Sequence, residues 1–484
     1  MIGYLRNLFR AIFARYEGGQ AHTGSRSHIP AFVQDARFDA NAATRGEILR
    51  KARYWERNNA IVNRLADIYE QYTVGSGIPF VPSSSDKEWN NRAREYWDES
   101  CKNLNLCSKQ SFASDQGLCA RTEFVDGEIF ILKTRGETGF PRIQLIESHR
   151  VGSPSGNPES GGRAIHDGVE IDLKNGRPIA YWVRDGVEAA DYRRISADQI
   201  IHVFEPSRVG QYRGLSFLYP VLNDIHDLDD LQILEQKAAR QAAEISNVIT
   251  NESGEVSADG LRNQRYIQGK QTSGGVDTTE SRTEFLRRAL GGKTVVMRTG
   301  EKLEQHKSER PSVATQGYWE FLASKICAGV GITKQLVFPW SMQGTVTRAD
   351  LEVAAQFFKV RHSVLASAFT EVYLFVMDYG IKRDMRLADP PADWRKVSLR
   401  CPRSPNVDAG RNSSAMLAEL AAGATTLEDI YGPAGHDWLD RVRQRSREIS
   451  AIKEIAAADG NTPEEISEFL AKDVSQQDQQ PTPA

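Results

Sequence analysis

Apolar residues recur at helical spacing over most of the chain and at strand spacing in one stretch. Between Glu47 and Tyr72 the positions Ile48, Ala52, Trp55, Ile61, Leu65, Ile68 and Tyr72 fall mostly three or four residues apart. That spacing predicts an amphipathic helix, stopped at Val74-Gly75-Ser76-Gly77 before Pro79. A second helix is predicted from Lys87 to Lys102 on Trp89, Ala93, Tyr96 and Trp97, and a third from Ser111 to Val125. Short runs of β-branched and aromatic residues follow at 128–134, 143–147, 168–172, 178–184 and 199–204, each bounded by turn residues. Lys174-Asn175-Gly176 predicts a tight hairpin, because Asn-Gly accepts the positive φ of a type I′ turn.

The pattern changes after Gly214. From Leu218 to Ile245 apolar residues recur at Val221, Ile225, Leu228, Leu231, Leu234, Ala238 and Ala242. This predicts a strut-like helix about 40 Å long at ~1.5 Å per residue. The polar, glycine-bearing run from Thr250 to Thr283 and a short strand at Lys293 to Arg298 read as a small protruding module. A further helix begins near Pro311, aligns Tyr318, Leu322, Ile326 and Val330, and ends at Gly329-Val330-Gly331. Ile332 to Val346 carries Pro339 and Gly344 and reads as a loop. The next helix is expected to open at Thr347, with Asp350 as capping-box partner, and to run to Gly380. It is apolar nearly all round, which predicts burial inside a larger assembly, and Lys359, Arg361 and Glu371 interrupt it short of a membrane span. After Pro402, Thr425-Thr426-Leu427-Glu428 and Thr462-Pro463-Glu464-Glu465 mark starts of short helices in an expected compact bundle, and the Gln-rich end reads as disordered.

Length and composition narrow the class. The 484 residues, 40% hydrophobic and 26% charged, suit a soluble globular chain of about three units. A net charge of −3 gives the molecule as a whole no reason to cling to a polyanion, so contact with nucleic acid has to be local and weak. Five cysteines without a CxxC read as reduced thiols of a cytoplasmic product. The N-terminus places Leu5, Leu8, Phe9, Ile12, Phe13 and Tyr16 on one helical face among arginines. That face suits a docking helix or a membrane-surface helix, and not a secretory signal.

The sequence fragments nearest to catalytic motifs are incomplete. Gly292-Lys293-Thr294 ends like a phosphate loop, but Arg287 stands where the first glycine is required. The nine histidines show no HExxH and no cysteine at zinc spacing. The enzymatic candidate is the set Asp224, Asp227, Asp229 and Asp230 beside His226, in which carboxylates at i and i+3 share a helix face and suit magnesium and a metal-dependent DNA-processing enzyme. The same acids also suit the positive end of the helix dipole. Segment 282–298 holds Arg282, Arg287, Arg288, Lys293 and Arg298 against Glu284, a net +4, and reads either as a partner-facing patch or as a solvated face.

The order of these parts resembles the portal proteins of tailed phages, in the lambda-like branch. The stretches that carry the resemblance are RNNAIVNRLADIYEQYTVGSGI (57–78), DGEIFILK (126–133), PRIQLIESHRVGSP (141–154), VEIDLKNGRPIAYWV (169–183), HVFEPSRVGQYRGLSFLYPVLNDIHDLDDLQILEQKAA (202–239) and GVGITKQLV (329–337). The chain departs from the family at Gly344-Thr345-Val346-Thr347-Arg348-Ala349 and at Val407-Asp408-Ala409-Gly410-Arg411. The resemblance implies a helix-rich α+β portal fold, with residues 1–44 as a basic helix and arm and 45–215 as the wing. Stem helices would lie at 216–247 and 311–331, the clip at 248–310 and the tunnel loop at 332–346. The buried wing helix would span 347–400, and the crown and disordered tail 401–484.

It further implies a non-enzymatic protein without cofactors, made in the host cytoplasm and resident at the capsid vertex of the virion as a homo-dodecamer. Double-stranded DNA would pass weakly along the tunnel loop, for which Lys334, Gln335, Trp340, Ser341, Met342 and Gln343 are candidates. Terminase, through its large subunit, and the head-completion connector would dock at Arg282, Arg287, Arg288 and Lys293, with coat and scaffold proteins as further partners. Another ring-forming head or tail component is the third reading.

Overall fold

The computed structural model describes residues 33, 35–107, 109–137, 139–154, 162–185, 191–244, 248–251, 301–304, 313–341, 344–399, 402, 409–432 and 438–459. They fall into two compact units, the first formed by Met1–Tyr219 with Gly331–Ala484 and the second by Pro220–Val330. The basic N-terminal helix, the strand expected at 293–298 and the helix start at Thr462 lie outside the described residues.

The first unit opens with α1 (Ala36–Asp39), α2 (Ala42–Asn58) and α3 (Ala60–Thr73). The single helix expected over 47–72 is thus two, and helix begins earlier, inside the segment read as an arm. The break is at Asn59, whose backbone is extended (φ −120°, ψ 120°) and whose side chain accepts from the N–H groups of Ile61 and Val62. An asparagine that satisfies two orphan donors makes a new helix start cheaper than continuing the old one. Next come β1 (Phe80–Pro82), α4 (Lys87–Cys101) and α5 (Phe112–Asp126), the last two capped by Asp86 and Ser111.

Strands β2 (Glu128–Arg135), β3 (Pro141–Ile146) and β8 (Ile200–Phe204) form a three-stranded antiparallel sheet in the order β3-β2-β8. A four-stranded antiparallel meander, β4 (Arg163–His166), β5 (Val169–Asp172), β6 (Pro178–Arg184) and β7 (Tyr192–Ser196), is inserted between β3 and β8. One core joins the two sheets through Phe130, Ile146, Val169, Tyr181, Val183 and Ile195. The hairpin at 173–176 is not type I′: Gly176 has φ +72°, whereas Asn175 is not among the positive-φ residues. Gly176 N–H bonds Asp172 O at 2.7 Å, closing a longer loop whose last residue alone is left-handed.

The second unit holds the helix pair α6 (Leu222–Glu244) and α7 (Val313–Val330), together with the antiparallel strands β9 (Val248–Asn251) and β10 (Glu301–Glu304). The chain re-enters the first unit through the one-turn helix α8 (Lys334–Val337) and the 40-residue α9 (Gly344–Arg383). Among the described residues α9 is the one helix long and apolar enough to cross a bilayer, but half of its most apolar window is buried in this fold. It contacts α3, α4, β3 and β8, and its Phe369 and Tyr373 join an aromatic cluster with Phe80, Trp97 and Phe112 at centroid spacings of 5.1–5.8 Å. Such packing identifies a core helix. Val353 and Val360 on α9 remain exposed.

Finally, β11 (Val397–Leu399) pairs antiparallel with β1, and α10 (Ala409–Ala421), α11 (Leu427–Tyr431) and α12 (Trp438–Asp459) follow. Thr426 and Asp429 form the capping box that starts α11. At 22 residues α12 is not one of the short helices expected of this tail.

Candidate functional site

The segment that returns from the second unit is built on buried apolar anchors with a polar and aromatic tip. Gly331 has φ +83°, and a Cβ there would lie 2.7 Å from Phe357 Cε2, so neither the backbone nor the space admits another residue. Ile332, Leu336, Val337 and Phe338 are buried. The amides of Leu336 and Phe338 bond Thr333 O and Lys334 O at 3.1 and 2.8 Å, closing the single turn of α8. Pro339–Ser341 then form a 3-10 turn, on which Trp340 stands 78% exposed with its ring 5.1 Å from Phe338.

The loop expected over 332–346 is therefore shorter and more ordered than its Pro and Gly suggest. The helix after it opens at Gly344, so Thr347 is inside α9 and buried. Asp350 is not its capping partner but accepts from Gln335 Nε2 at 2.5 Å. Of the six residues singled out, Trp340 projects and Gln335 ties α8 to α9. Lys334 opens α8 and Ser341 closes the 3-10 turn, while Met342 and Gln343 lie outside the described residues. All four basic candidates, Arg282, Arg287, Arg288 and Lys293, also lie outside them.

The α6–α7 pair is antiparallel, since Thr315 Oγ1 donates to Glu235 Oε1 at 2.8 Å and Lys325 Nζ donates to Asp224 Oδ1 at 2.6 Å. The Asp224 bond raises the Lys325 pKa above its ordinary value. His226 and Asp230 approach to 3.5 Å one turn apart. Among the described residues no group of three acids, histidines or cysteines is placed to hold a metal. Asp224 is spent on Lys325, and its place in the first turn of α6 suits the helix dipole.

Sequence patterns missed the charged knot beside which the chain leaves the first unit. Glu128 is fully buried and accepts from Arg213 Nη2 at 2.6 Å, the Ser148 hydroxyl at 2.5 Å and the backbone N–H of Gly214 at 2.8 Å. Arg45 and His202 lie at 3.4 and 3.0 Å. Burial would raise the Glu128 pKa, but the Arg213 charge and the bonds from His202 and Arg213 outweigh it and hold the carboxyl well below its usual range. His202, stacked between Phe130 and Phe204, is shifted down by burial. Arg45 and Arg213 also bind Asp167, a non-glycine residue at φ +45°. Gly127 and Gly214 let two backbones touch: a Cβ on Gly214 would sit 2.0 Å from Gly127 O.

Residues 30–339, which span this geometry up to the 3-10 turn, match the family described as phage portal protein, lambda family. The chain belongs to that family. Portal protein B of Escherichia phage lambda is 23% identical over 488 aligned residues, covering 90% of this chain and 89% of the lambda protein. A probable portal protein of Halomonas phage phiHAP-1 is 30% identical over 171 residues, 33% of this chain and 31% of that relative. A chain from the neck of an empty gene transfer agent particle shares the fold with a TM-score of 0.50 at 12% identity, over 83% of this chain and 98% of that one. As a portal protein the chain is a structural component with an α+β fold and not an enzyme.

Proposed function

We propose that twelve copies of this chain close into a ring at one capsid vertex, around an axial channel through which double-stranded DNA enters and leaves. The observation that carries the reading is the lambda-family match over residues 30–339, which takes in α1–α5 and β1–β8 of the first unit, both helices of the second unit and the returning segment with α8. In this reading α6 and α7 are the stem, 248–310 the clip and 332–346 the tunnel loop. The ring is a component of the virion.

Physics favours a weak grip. Each neutralised phosphate releases counterions and deepens binding, so a channel in which DNA slides has to avoid rows of cations. A chain of net charge −3 suits that demand. The exposed Trp340, braced on Phe338, and Lys334 at the start of α8 supply local contact near the tip. The net +4 segment 282–298, with Arg282, Arg287, Arg288 and Lys293, suits docking of acidic surfaces of the terminase large subunit and, after packaging, of the head-completion connector. Residues 1–44 would meet coat and scaffold. The test is a packaging reaction in which procapsids assembled with or without this chain receive terminase, ATP and linear DNA. Nuclease-resistant DNA is expected only with the chain, and equal protection without it overturns the reading.

A further inference from the structure

The chain passes between the two units at two points, leaving after Tyr219 and returning at Gly331. Both points are held on the first-unit side by aromatic rings. Phe217 lies two residues before the exit, its ring 5.8 Å from Phe124 and 5.3 Å from Tyr69, and its N–H bonds Phe124 O at 3.1 Å. Phe357 of α9 lies against Gly331, where a Cβ would strike its ring. One side chain reaches both rings. The Arg361 guanidinium, one helical turn after Phe357, is 4.6 Å from the Phe357 centroid and 5.6 Å from that of Phe217, and its Nε is 3.0 Å from Glu205 Oε2.

We propose that Arg361 is a positioning residue that couples the exit segment 214–219 to the returning segment 331–341, and so fixes the base from which the tunnel loop projects. A guanidinium suits this task because it is flat and always charged, so it can face two rings while pairing with a carboxylate. Glu205 neutralises it from the end of β8, beside the strand's last residue. Lysine keeps the charge but loses the plane, and methionine keeps the length but loses both. That the coupled segment carries the tunnel loop rests on the channel reading above; the coupling itself does not.

The experiment is hydrogen exchange on the full-length chain, read at the amides of Phe217 and Tyr219 on one side and of Leu336 and Phe338 on the other, all hydrogen-bonded here. Arg361→Met is expected to speed exchange about tenfold on both sides, with Arg361→Lys intermediate. Phe217→Leu, a milder change that guards against misfolding, is expected to speed Leu336 and Phe338 in the returning segment as well, and to add little in an Arg361→Met background. If Phe217→Leu loosens only its own segment, Arg361 is ordinary packing and the proposal falls. DNA retention by particles carrying Arg361→Met decides the other question. Coupled exchange with unchanged retention leaves the coupling standing and removes the channel role of the loop.

Discussion

Glu123 sits fully buried in α5, with the Tyr69 hydroxyl donating to its Oε2 at 3.0 Å. Burial pushes its carboxyl up to about 8; the Tyr69 bond opposes the rise without cancelling it. The folded state therefore holds a proton that the unfolded chain releases near the ordinary glutamate value, so stability is fully present below about pH 4.5 and falls as pH rises towards 8. One such proton gives a slope of at most about 1.4 kcal/mol per pH unit. Glu123→Gln keeps the Tyr69 bond and removes the proton, so its stability relative to the parent should rise from pH 5 to pH 9 in denaturant titrations; a constant difference would refute the assignment. Glu128 is the opposite case, a buried carboxylate kept charged by Arg213. Arg213→Met should cost about 3–5 kcal/mol, because it takes the closest cation from that buried charge and leaves it to Arg45 at 3.4 Å and to neutral donors. Chemical denaturation checks this against Arg193→Met, an exposed ion pair expected to cost under about 1 kcal/mol.

Among the elements, those with unbroken periodicity were legible. Helices α4, α5, α6 and α7 and strands β2 and β6 lie within a few residues of where apolar spacing puts them. The split at Asn59 was hidden because the apolar steps resume after the five residues between Trp55 and Ile61, while the deciding event is a side-chain cap. Asn59→Ala should cost about 1 kcal/mol by loss of that cap, measurable as a shift in the denaturation midpoint. Strand β7, Tyr192–Ser196, carries two arginines and gave no strand signal, and β1 pairs with β11 more than 300 positions away. The Glu128 knot was illegible for the same reason: its partners Arg45 and Arg213 are 83 and 85 residues distant. In the loop, sequence picked out Trp340, which does project, but also Gln335, whose amide is spent on Asp350.

For the whole molecule, the structure describes two units that the chain enters and leaves at 219–220 and 330–331, and the family match bridges both crossings. Proposed contacts with DNA and with the motor then fall on different segments and are separable by mutation. Deleting Trp340–Gly344 should leave ring assembly intact and reduce the DNA retained after packaging; unchanged retention would remove the loop from the account. Reversing Arg282, Arg287, Arg288 and Lys293 together should abolish terminase docking to assembled rings at moderate salt, and undiminished docking would make that patch a solvated face. Both variants presuppose a ring. The decisive measurement is electron microscopy of the purified full-length chain co-expressed with its scaffold, with mass photometry on the same sample. Annular particles near twelve chain masses, with an axial hole wide enough for a DNA duplex, are expected. Monomers, or closed particles without a hole, would contradict the proposed ring.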